Sequence, residues 1–169
     1  LSGGILSVCR DGFKASLLEN TLETRLAIFY MDRDDQQVKG SLIIPRPDGS
    51  TAFVDYTSNA AEGNNYGMEL EVSWLATGKL MLFANLGLLR TEFDEYIDTE
   101  GNDLSGRDQA QAPEYQYAAG GHYDIGAGFY LRMDVEGRDS AYFSDRHDLK
   151  SPSYDLLNAR AGYTNERWS

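Results

Sequence analysis

Long runs in which apolar and polar residues alternate with a period of two constrain the fold more than any other feature of the sequence. In the clearest run, residues 66–74, every second residue is apolar, and two of the positions between them are Glu69 and Glu71. Residues 129–138 alternate in the same way, and their polar positions beyond the first are all charged. Because successive side chains of a β-strand point to opposite faces, each run predicts a strand with one apolar and one polar face.

Weaker alternation and turn-forming residues predict the other strands and their connections. We predict about seven strands, at residues 13–17, 21–31, 66–74, 80–90, 115–123, 129–138 and 157–163. Tight turns are predicted near residues 18–20, 76–79, 124–127 and 164–167, and long connections at residues 36–65, 97–112 and 144–153. Short and long connections alternate along the chain, so the tight turns lie at one end of an antiparallel meander and the long loops at the other. This asymmetry is typical of an outer-membrane barrel and not of a Greek-key sandwich.

Strand patterns are predicted to extend well beyond the roughly five or six residues that are usual for a soluble strand. The alternation continues from residue 80 to about residue 96, and from residue 129 to about residue 143. Residues 41–65 are predicted to form a long external hairpin whose tip is set by Pro45, Pro47 and the turn-forming pair Asp48-Gly49. Strands of this length project beyond a bilayer and fit a large barrel.

Charge and composition exclude several classes of protein. The 169 residues include 27 acidic and 15 basic side chains, a net charge of −12 that argues against nucleic acid as a partner. No apolar run approaches the roughly 18 residues of a membrane-spanning helix. Aromatic residues make up 12% of the chain, which is too many for intrinsic disorder. Cys9 is the single cysteine, and the sequence contains no nucleophile, phosphate-binding or metal-ligand motif, so we predict no enzyme, no cofactor and no metal.

Five segments in a consistent order resemble one known family. They are FKASLLENTLETRLAIFYMDRDDQQ at residues 13–37, NAAEGNNYGMELEV at 59–72, LGLLRTEFDEY at 86–96, the pair GR at 106–107 followed by APEY at 112–115, and LNARAGY at 157–163. The first resembles the strand-turn-strand of TonB-dependent outer-membrane receptors. The second is similar to the entry of a strand of that family, with Gly67, Glu69 and Glu71 at the matching places.

The resemblance implies a fold, a location and partners. The fold would be all-β, an antiparallel meander of about seven long strands that is an incomplete piece of a roughly 22-stranded transmembrane β-barrel. Residues 1–169 would be a fragment of the barrel domain, without the plug domain and the final strands. The receptor would lie in the outer membrane of a Gram-negative bacterium, in contact with its lipid. It would take up a scarce, bulky extracellular ligand of the siderophore-iron, cobalamin or glycan class with energy from TonB, ExbB and ExbD, transmitted through the plug.

Within such a barrel wall, the alternation assigns side chains to two faces. The residues predicted to face the lumen are Glu69, Glu71, Arg132, Asp134, Glu136, Arg138, Asn158 and Arg160. Those predicted to face lipid are Tyr66, Met68, Leu70, Val72, Trp74, Phe129, Leu131, Met133 and Val135. The charges of residues 132–138 are expected to form cross-strand ion pairs with neighbours such as Glu69, Glu71 or Arg160. The aromatic residues predicted to contact a ligand from the long loops are Phe53, Tyr56, Tyr142 and Phe143.

Two alternative functions remain open at the level of the sequence. A passive porin-type channel would share the alternation and the loop asymmetry. A soluble extracytoplasmic β-sandwich that binds glycans would instead bury the face assigned to lipid.

Overall fold

The structure, a computed structural model, describes residues 6–46, 48, 50–98, 101–145 and 147–164, without the side chains of Leu6 and of residues 35–43 and 53–61. Its strands are β1 (Leu6–Leu17), β2 (Leu22–Pro45), β3 (Thr51–Thr77), β4 (Leu80–Tyr96), β5 (Tyr115–Gly126), β6 (Phe129–Arg138), β7 (Ala141–Tyr142), β8 (Lys150–Ser151) and β9 (Tyr154–Tyr163). Over the described ranges, no helix is long and apolar enough to cross a membrane.

Seven of these strands form one antiparallel sheet. Their order is β1-β2-β3-β4-β5-β6-β9, so each strand pairs with the next one along the chain except where β7 and β8 intervene as a separate small hairpin. Every pairing in the sheet is antiparallel. The predicted meander of seven strands is confirmed, and the sheet is open, as expected for part of a barrel.

Short connections join the strands at one end of the sheet. They comprise residues 18–21, 78–79 and 127–128, and the first contains three consecutive residues with positive φ, Leu18, Glu19 and Asn20. The predicted turns are present but two are shorter than expected, because Thr77 and Gly126 still pair within the sheet. Of the fourth predicted turn, only Thr164 is among the described residues.

The opposite end of the sheet has the long connections. The β2–β3 hairpin closes at residues 46–50, where Arg46 N donates to Ser50 O at 2.8 Å and Asp48 Oδ1 accepts bonds from the Ser50 amide and hydroxyl. The pairing of β2 with β3 confirms the hairpin predicted for residues 41–65, and its ladder covers most of the connection expected at residues 36–65. Two of the predicted tip residues, Pro47 and Gly49, lie outside the described residues. The β4–β5 loop (residues 97–114) and the segment that contains the β7–β8 hairpin (residues 139–153) complete this end, which we call the loop end.

One predicted strand is shorter than expected. The alternation of residues 129–143 predicts a continuous strand, but β6 ends at Arg138. Asp139 N still donates to Tyr115 O at 3.0 Å, and the Asp139 carboxylate then accepts a bond from Ser140 N at 2.6 Å. A carboxylate that binds the following backbone amide favours a turn over a ladder, and this local bond is the physical reason for the break.

The hydrophobic core of the described residues is small and lies at the loop end. Phe93 has no exposed surface and Tyr96 is 2% exposed, and their ring centroids are 4.9 Å apart with Leu104 packed against them. Elsewhere the sheet is a single layer whose apolar side chains are not covered. An exposed apolar face of this size marks contact with another apolar surface, either protein or membrane.

Candidate functional site

All eight residues predicted to face the lumen lie on one face of the sheet. Glu71 aligns with Asn85, which aligns with Ala118, which aligns with Glu136, through three successive strand pairs. Residues directly opposite each other in a sheet share a face. By the same register the polar face contains Glu69, Glu71, Arg132, Asp134, Glu136, Arg138, Asn158 and Arg160. Their assignment to a barrel lumen stays a prediction.

Ion pairs on the polar face join β3 to the first two strands. Arg10 Nη2 lies 3.0 Å from Glu69 Oε2, and Arg25 Nη1 lies 3.0 Å from Glu71 Oε2. These side chains are all more than half exposed, so each pair contributes at most about 1 kcal/mol to stability. These pairs hold the long arginine and glutamate side chains close to the polar face of the sheet.

The ion pairs expected between β6 and β3 are not formed. Arg132 Nε lies 3.3 Å from Asp134 Oδ1 on its own strand, and Asn158 Nδ2 donates to Asp134 Oδ2 at 3.0 Å. Arg132 lies directly opposite Arg160, a like-charged neighbour. The prediction of pairs with Glu69 or Glu71 is wrong because β4 and β5 separate β3 from β6, which the alternation alone does not reveal.

A groove of about 530 Å³ lies along the middle of the polar face. Glu69, Glu71 and Glu136 line it together with Arg138 and Gln116. Two of its three carboxylates, those of Glu69 and Glu71, are already paired with Arg10 and Arg25. The Arg138 side chain is itself engaged at the loop end, where Nη2 donates to Ser151 Oγ at 3.0 Å and the guanidinium lies 5.3 Å from the Tyr154 ring centroid.

The opposite face is apolar and largely exposed. Its bulky side chains include Phe13, Ile28, Leu131, Met133 and Leu157, whose exposed fractions range from 37% to 72%. The nine residues predicted to face lipid all belong to this face by register, among them Met68, Leu70, Val72 and Val135. A continuous exposed surface of this kind marks contact with a membrane or another apolar partner.

Aromatic side chains border the apolar face on two levels. Partway toward the loop end Tyr30 lies directly opposite Tyr66, and at the turn end the rings of Phe129 and Tyr163 lie 4.8 Å apart between centroids. Trp74 follows Tyr66 by eight residues on the same face, as Tyr123 follows Tyr115. Eight residues span about 26 Å along a strand and about 20 Å in height at a tilt of about 40°, close to the apolar band of an outer-membrane barrel.

The loop end places the predicted ligand-contact residues in different settings. The Tyr142 ring is half-buried, with the Arg107 guanidinium 4.0 Å and Lys150 Nζ 4.1 Å from its centroid. Phe143, next in sequence, is 58% exposed. The side chains of Phe53 and Tyr56 lie outside the described residues, so the prediction for these two is not addressed.

The contacts that organise the loop end were not predicted from the sequence. Arg107 contacts Asp148 and His147 some 40 positions later in the chain, and Leu149 is 69% exposed beside Phe143. A lone arginine in a polar loop has no periodic signal, and no pattern in the sequence points to its partners.

Carboxylates of two surface turns have lowered pKa values. Bonds from the Ser50 hydroxyl and amide lower the pKa of Asp48, and bonds from Ser105 lower that of Asp103, because each bond favours the charged form. Both carboxylates are fully exposed and serve their own turns. Across the described part of the chain, no group of three or more His, Cys, Asp or Glu side chains is arranged to hold a metal ion.

The fold and the two faces together define a class of protein. Long meandering strands with one exposed apolar face, one charged face, short turns at one end and long loops at the other form the wall of a β-barrel. The family model of the TonB-dependent receptor-like β-barrel matches residues 12–169 of this chain. The chain therefore belongs to the TonB-dependent receptor family, whose members are transport receptors rather than enzymes.

Solved structures share the fold. The chain is similar to the siderophore receptor PiuA from Acinetobacter baumannii, with a TM-score of 0.73 and 19% identity over 95% of this chain and 22% of that one. It is similar to the ferric-catecholate import receptor Fiu from E. coli K12, with a TM-score of 0.69 and 16% identity over 97% of this chain and 22% of that one. It is also similar to the ferric yersiniabactin uptake receptor FyuA from Yersinia pestis, with a TM-score of 0.69 and 18% identity over 94% of this chain and 22% of that one. The chain thus spans about a fifth of each.

Proposed function

We propose that this chain forms part of the barrel wall of a receptor in the outer membrane of a Gram-negative bacterium, and that the receptor imports a ferric siderophore. The observation that carries the proposal is the two-faced meander, whose apolar face is bordered by aromatic residues at a spacing that fits a bilayer. Membership of the TonB-dependent receptor family supports it. The three similar structures named above are siderophore or ferric-complex receptors. Their names favour a ferric siderophore as the ligand over the cobalamin and glycan classes.

The proposal assigns different roles to this chain and to the rest of the receptor. Residues 1–169 are a fragment of the barrel domain, and a plug domain encoded elsewhere in the same protein occupies the lumen. Energy from TonB, ExbB and ExbD reaches the ligand through that plug. The polar face, with Glu69, Glu71 and Glu136 along its groove, lines the lumen, and the exposed Phe143 contacts ligand from the loop end.

Uptake by the complete protein tests the proposal. The full-length gene is expressed in a host that lacks its own siderophore receptors, and radiolabelled iron is supplied as a tris-catecholate, a tris-hydroxamate or a mixed-ligand complex. We expect saturable accumulation of at least one complex, and we expect a protonophore or a deletion of TonB to abolish it. Accumulation that neither treatment reduces, together with swelling of liposomes that contain the purified protein, would instead establish a passive porin-type channel.

A further inference from the structure

The β4–β5 loop and the β7–β8 hairpin are in direct contact at the loop end. The guanidinium of Arg107 in the loop contacts the hairpin, and backbone amides of the same loop donate hydrogen bonds to it. These contacts join residues that are 31 to 41 positions apart in the chain, so they are tertiary contacts between two separate connections.

The β4–β5 loop is a firm base for such a contact. It folds back along the free edge of β4, where Phe93 N donates to Arg107 O at 3.0 Å and Gly106 N donates to Phe93 O at 2.7 Å. Gln109 N adds a bond to Thr91 Oγ1 at 3.0 Å. The only fully buried ring of the described residues, that of Phe93, lies beneath this segment. The backbone of Arg107 is therefore fixed by the sheet.

From this base the Arg107 side chain binds the hairpin at three points. Nη1 lies 2.7 Å from Asp148 Oδ1, Nη2 donates to the carbonyl oxygen of His147, and the guanidinium lies 4.0 Å from the centroid of the Tyr142 ring. Only 12% of the Arg107 side chain is exposed, whereas that of Asp148 is 93% exposed. The buried stacking and the carbonyl bond therefore matter more than the exposed ion pair.

Backbone contacts beside Arg107 depend on the same arrangement. Gln111 N donates to Tyr142 O at 2.9 Å, and Ala110 N donates to Asp145 Oδ1 at 2.6 Å. Lys150, which lies opposite Tyr142 in the hairpin, also places Nζ 4.1 Å from the ring centroid. Two cations thus share one electron-rich ring.

The hairpin presents two apolar side chains beyond these contacts. Phe143 N donates to Leu149 O at 3.0 Å, so the two residues are neighbours across the hairpin. Phe143 is 58% exposed and Leu149 is 69% exposed. A hairpin of two residue pairs has too few ladder bonds to be stable by itself, so its position depends on what holds it.

We infer that Arg107 is a positioning residue that holds the β7–β8 hairpin against the β4–β5 loop, so that Phe143 and Leu149 are presented together at one place. The role of the presented pair in ligand contact rests on the proposed function. The role of Arg107 does not, because it is stated for the receptor without ligand. An arginine is required because its planar fork reaches two acceptors while its face stacks on a ring, which an ammonium cannot do.

Amide hydrogen exchange on the full-length receptor without ligand tests the inference. Arg107→Lys keeps the charge and Arg107→Leu removes it. We expect exchange at the Ala110, Gln111 and Phe143 amides to become about tenfold faster in both variants, because opening of the hairpin exposes the bonds that protect them. Unchanged exchange at these three amides in Arg107→Lys and Arg107→Leu would overturn the inference.

Arg90 provides a matched control at the same end of the sheet. It pairs with Glu114, and both side chains are well exposed, so Arg90→Leu removes an arginine ion pair that does not reach the hairpin. We expect Arg90→Leu to leave exchange in residues 141–151 unchanged. An equal loss of protection in Arg90→Leu would show a general effect of charge and would contradict a specific role for Arg107.

Variants of Tyr142 keep the test decisive if an Arg107 variant does not accumulate in the membrane. Tyr142→Phe retains the ring and is expected to exchange like the parent protein, whereas Tyr142→Leu removes the ring and is expected to exchange like Arg107→Leu. Equal amide exchange in Tyr142→Phe and Tyr142→Leu would show that stacking on the Tyr142 ring does not hold the hairpin, and would overturn the inference.

Transport kinetics connect the position of the hairpin to ligand. With radiolabelled iron as its tris-catecholate complex, or as whichever of the three complexes the parent receptor accumulates, we expect Arg107→Lys to raise KM several-fold with the maximal rate unchanged. An unchanged KM despite faster exchange would separate the hairpin from ligand contact and overturn that part. If the parent receptor accumulates none of the complexes, the proposed function fails, while the exchange result still decides the role of Arg107.

Discussion

The hydroxyl of Tyr117 donates a 2.6 Å hydrogen bond to Asp155 Oδ1 on the apolar face of the sheet. The two residues are not adjacent, because Gly137 lies directly between them in the register. The tyrosine ring crosses the glycine to reach the carboxylate. A bond of this kind gives a carboxylate on an apolar face the donor that apolar surroundings do not supply.

Gly137→Ala is expected to destabilise the barrel through this contact. A Cβ at Gly137 would overlap Asp155 Oδ1 and lie 2.8 Å from the Tyr117 ring. We expect the free energy of unfolding, measured by urea titration of the full-length receptor in lipid vesicles, to fall by about 1–3 kcal/mol, and Tyr117→Phe to produce a fall of similar size. Tyr115→Phe, which removes the hydroxyl of a neighbouring ring, is the control and should change it by less than about 0.5 kcal/mol. Equal effects of Tyr117→Phe and Tyr115→Phe would contradict the role of the bond.

A lysine is expected to be tolerated on one face of the sheet and not on the other. Leu70 lies midway between Tyr66 and Trp74 on the apolar face, and Asn85 lies on the polar face opposite Glu71. Lipid, the proposed neighbour of the apolar face, cannot solvate an ammonium. We therefore expect Leu70→Lys to lower the free energy of unfolding by about 2–4 kcal/mol, and Asn85→Lys to change it little. The measurement is the amount of heat-modifiable receptor that accumulates in the outer membrane. Similar accumulation of both variants would contradict the assignment of the faces.

Removal of the Phe93 ring is expected to release the β4–β5 loop and leave the barrel folded. Phe93 is fully buried against Tyr96 and Leu104, and a Phe-to-Ala change at such a site costs about 3–5 kcal/mol. We expect Phe93→Ala to increase amide exchange at Gly106 and Gln109, with exchange in β3 and β5 unchanged. Glu95→Ala, an exposed neighbour on the same strand, is the control. Exchange that rises equally throughout β3 and β5 would show that the ring supports the whole sheet.

The turn at Asp103 is expected to weaken in acid. Because bonds from the Ser105 hydroxyl and amide lower the pKa of Asp103 below its usual value of 3.8, the stabilisation is complete above that value and is lost as the pH falls through the lowered pKa. Ser105→Ala should raise the pKa of Asp103 toward 3.8, measured by NMR titration of isotope-labelled aspartate. A pKa that does not move in this variant would exclude the hydroxyl as the main cause.

The strands and their faces were predictable because their signal is local. Alternation within residues 66–74 and 129–138 is sufficient to separate Glu69 and Glu136 from their apolar neighbours, and the structure places both glutamates on one face. The end of β6 was not predictable from alternation, since the bond between Asp139 and Ser140 that turns the chain competes with a pattern that continues past it.

The partners of the charged side chains were not predictable. Glu69 and Glu71 bind Arg10 and Arg25, which alternation cannot select because it does not encode register between strands. A charge has no preferred partner until the pairing of the strands is set.

The sequence by itself determined a two-faced antiparallel meander with its turns at one end and its loops at the other, because a period of two and short turn motifs act over a few residues. Only the tertiary structure decided that Arg107 meets Tyr142, and that the Tyr117 ring crosses Gly137 to reach Asp155. These contacts join positions 35 and 38 apart, and they exist because the β4–β5 loop packs on β4 and because β5, β6 and β9 pair in one register. Packing and register depend on the whole sheet, and no local pattern contains them.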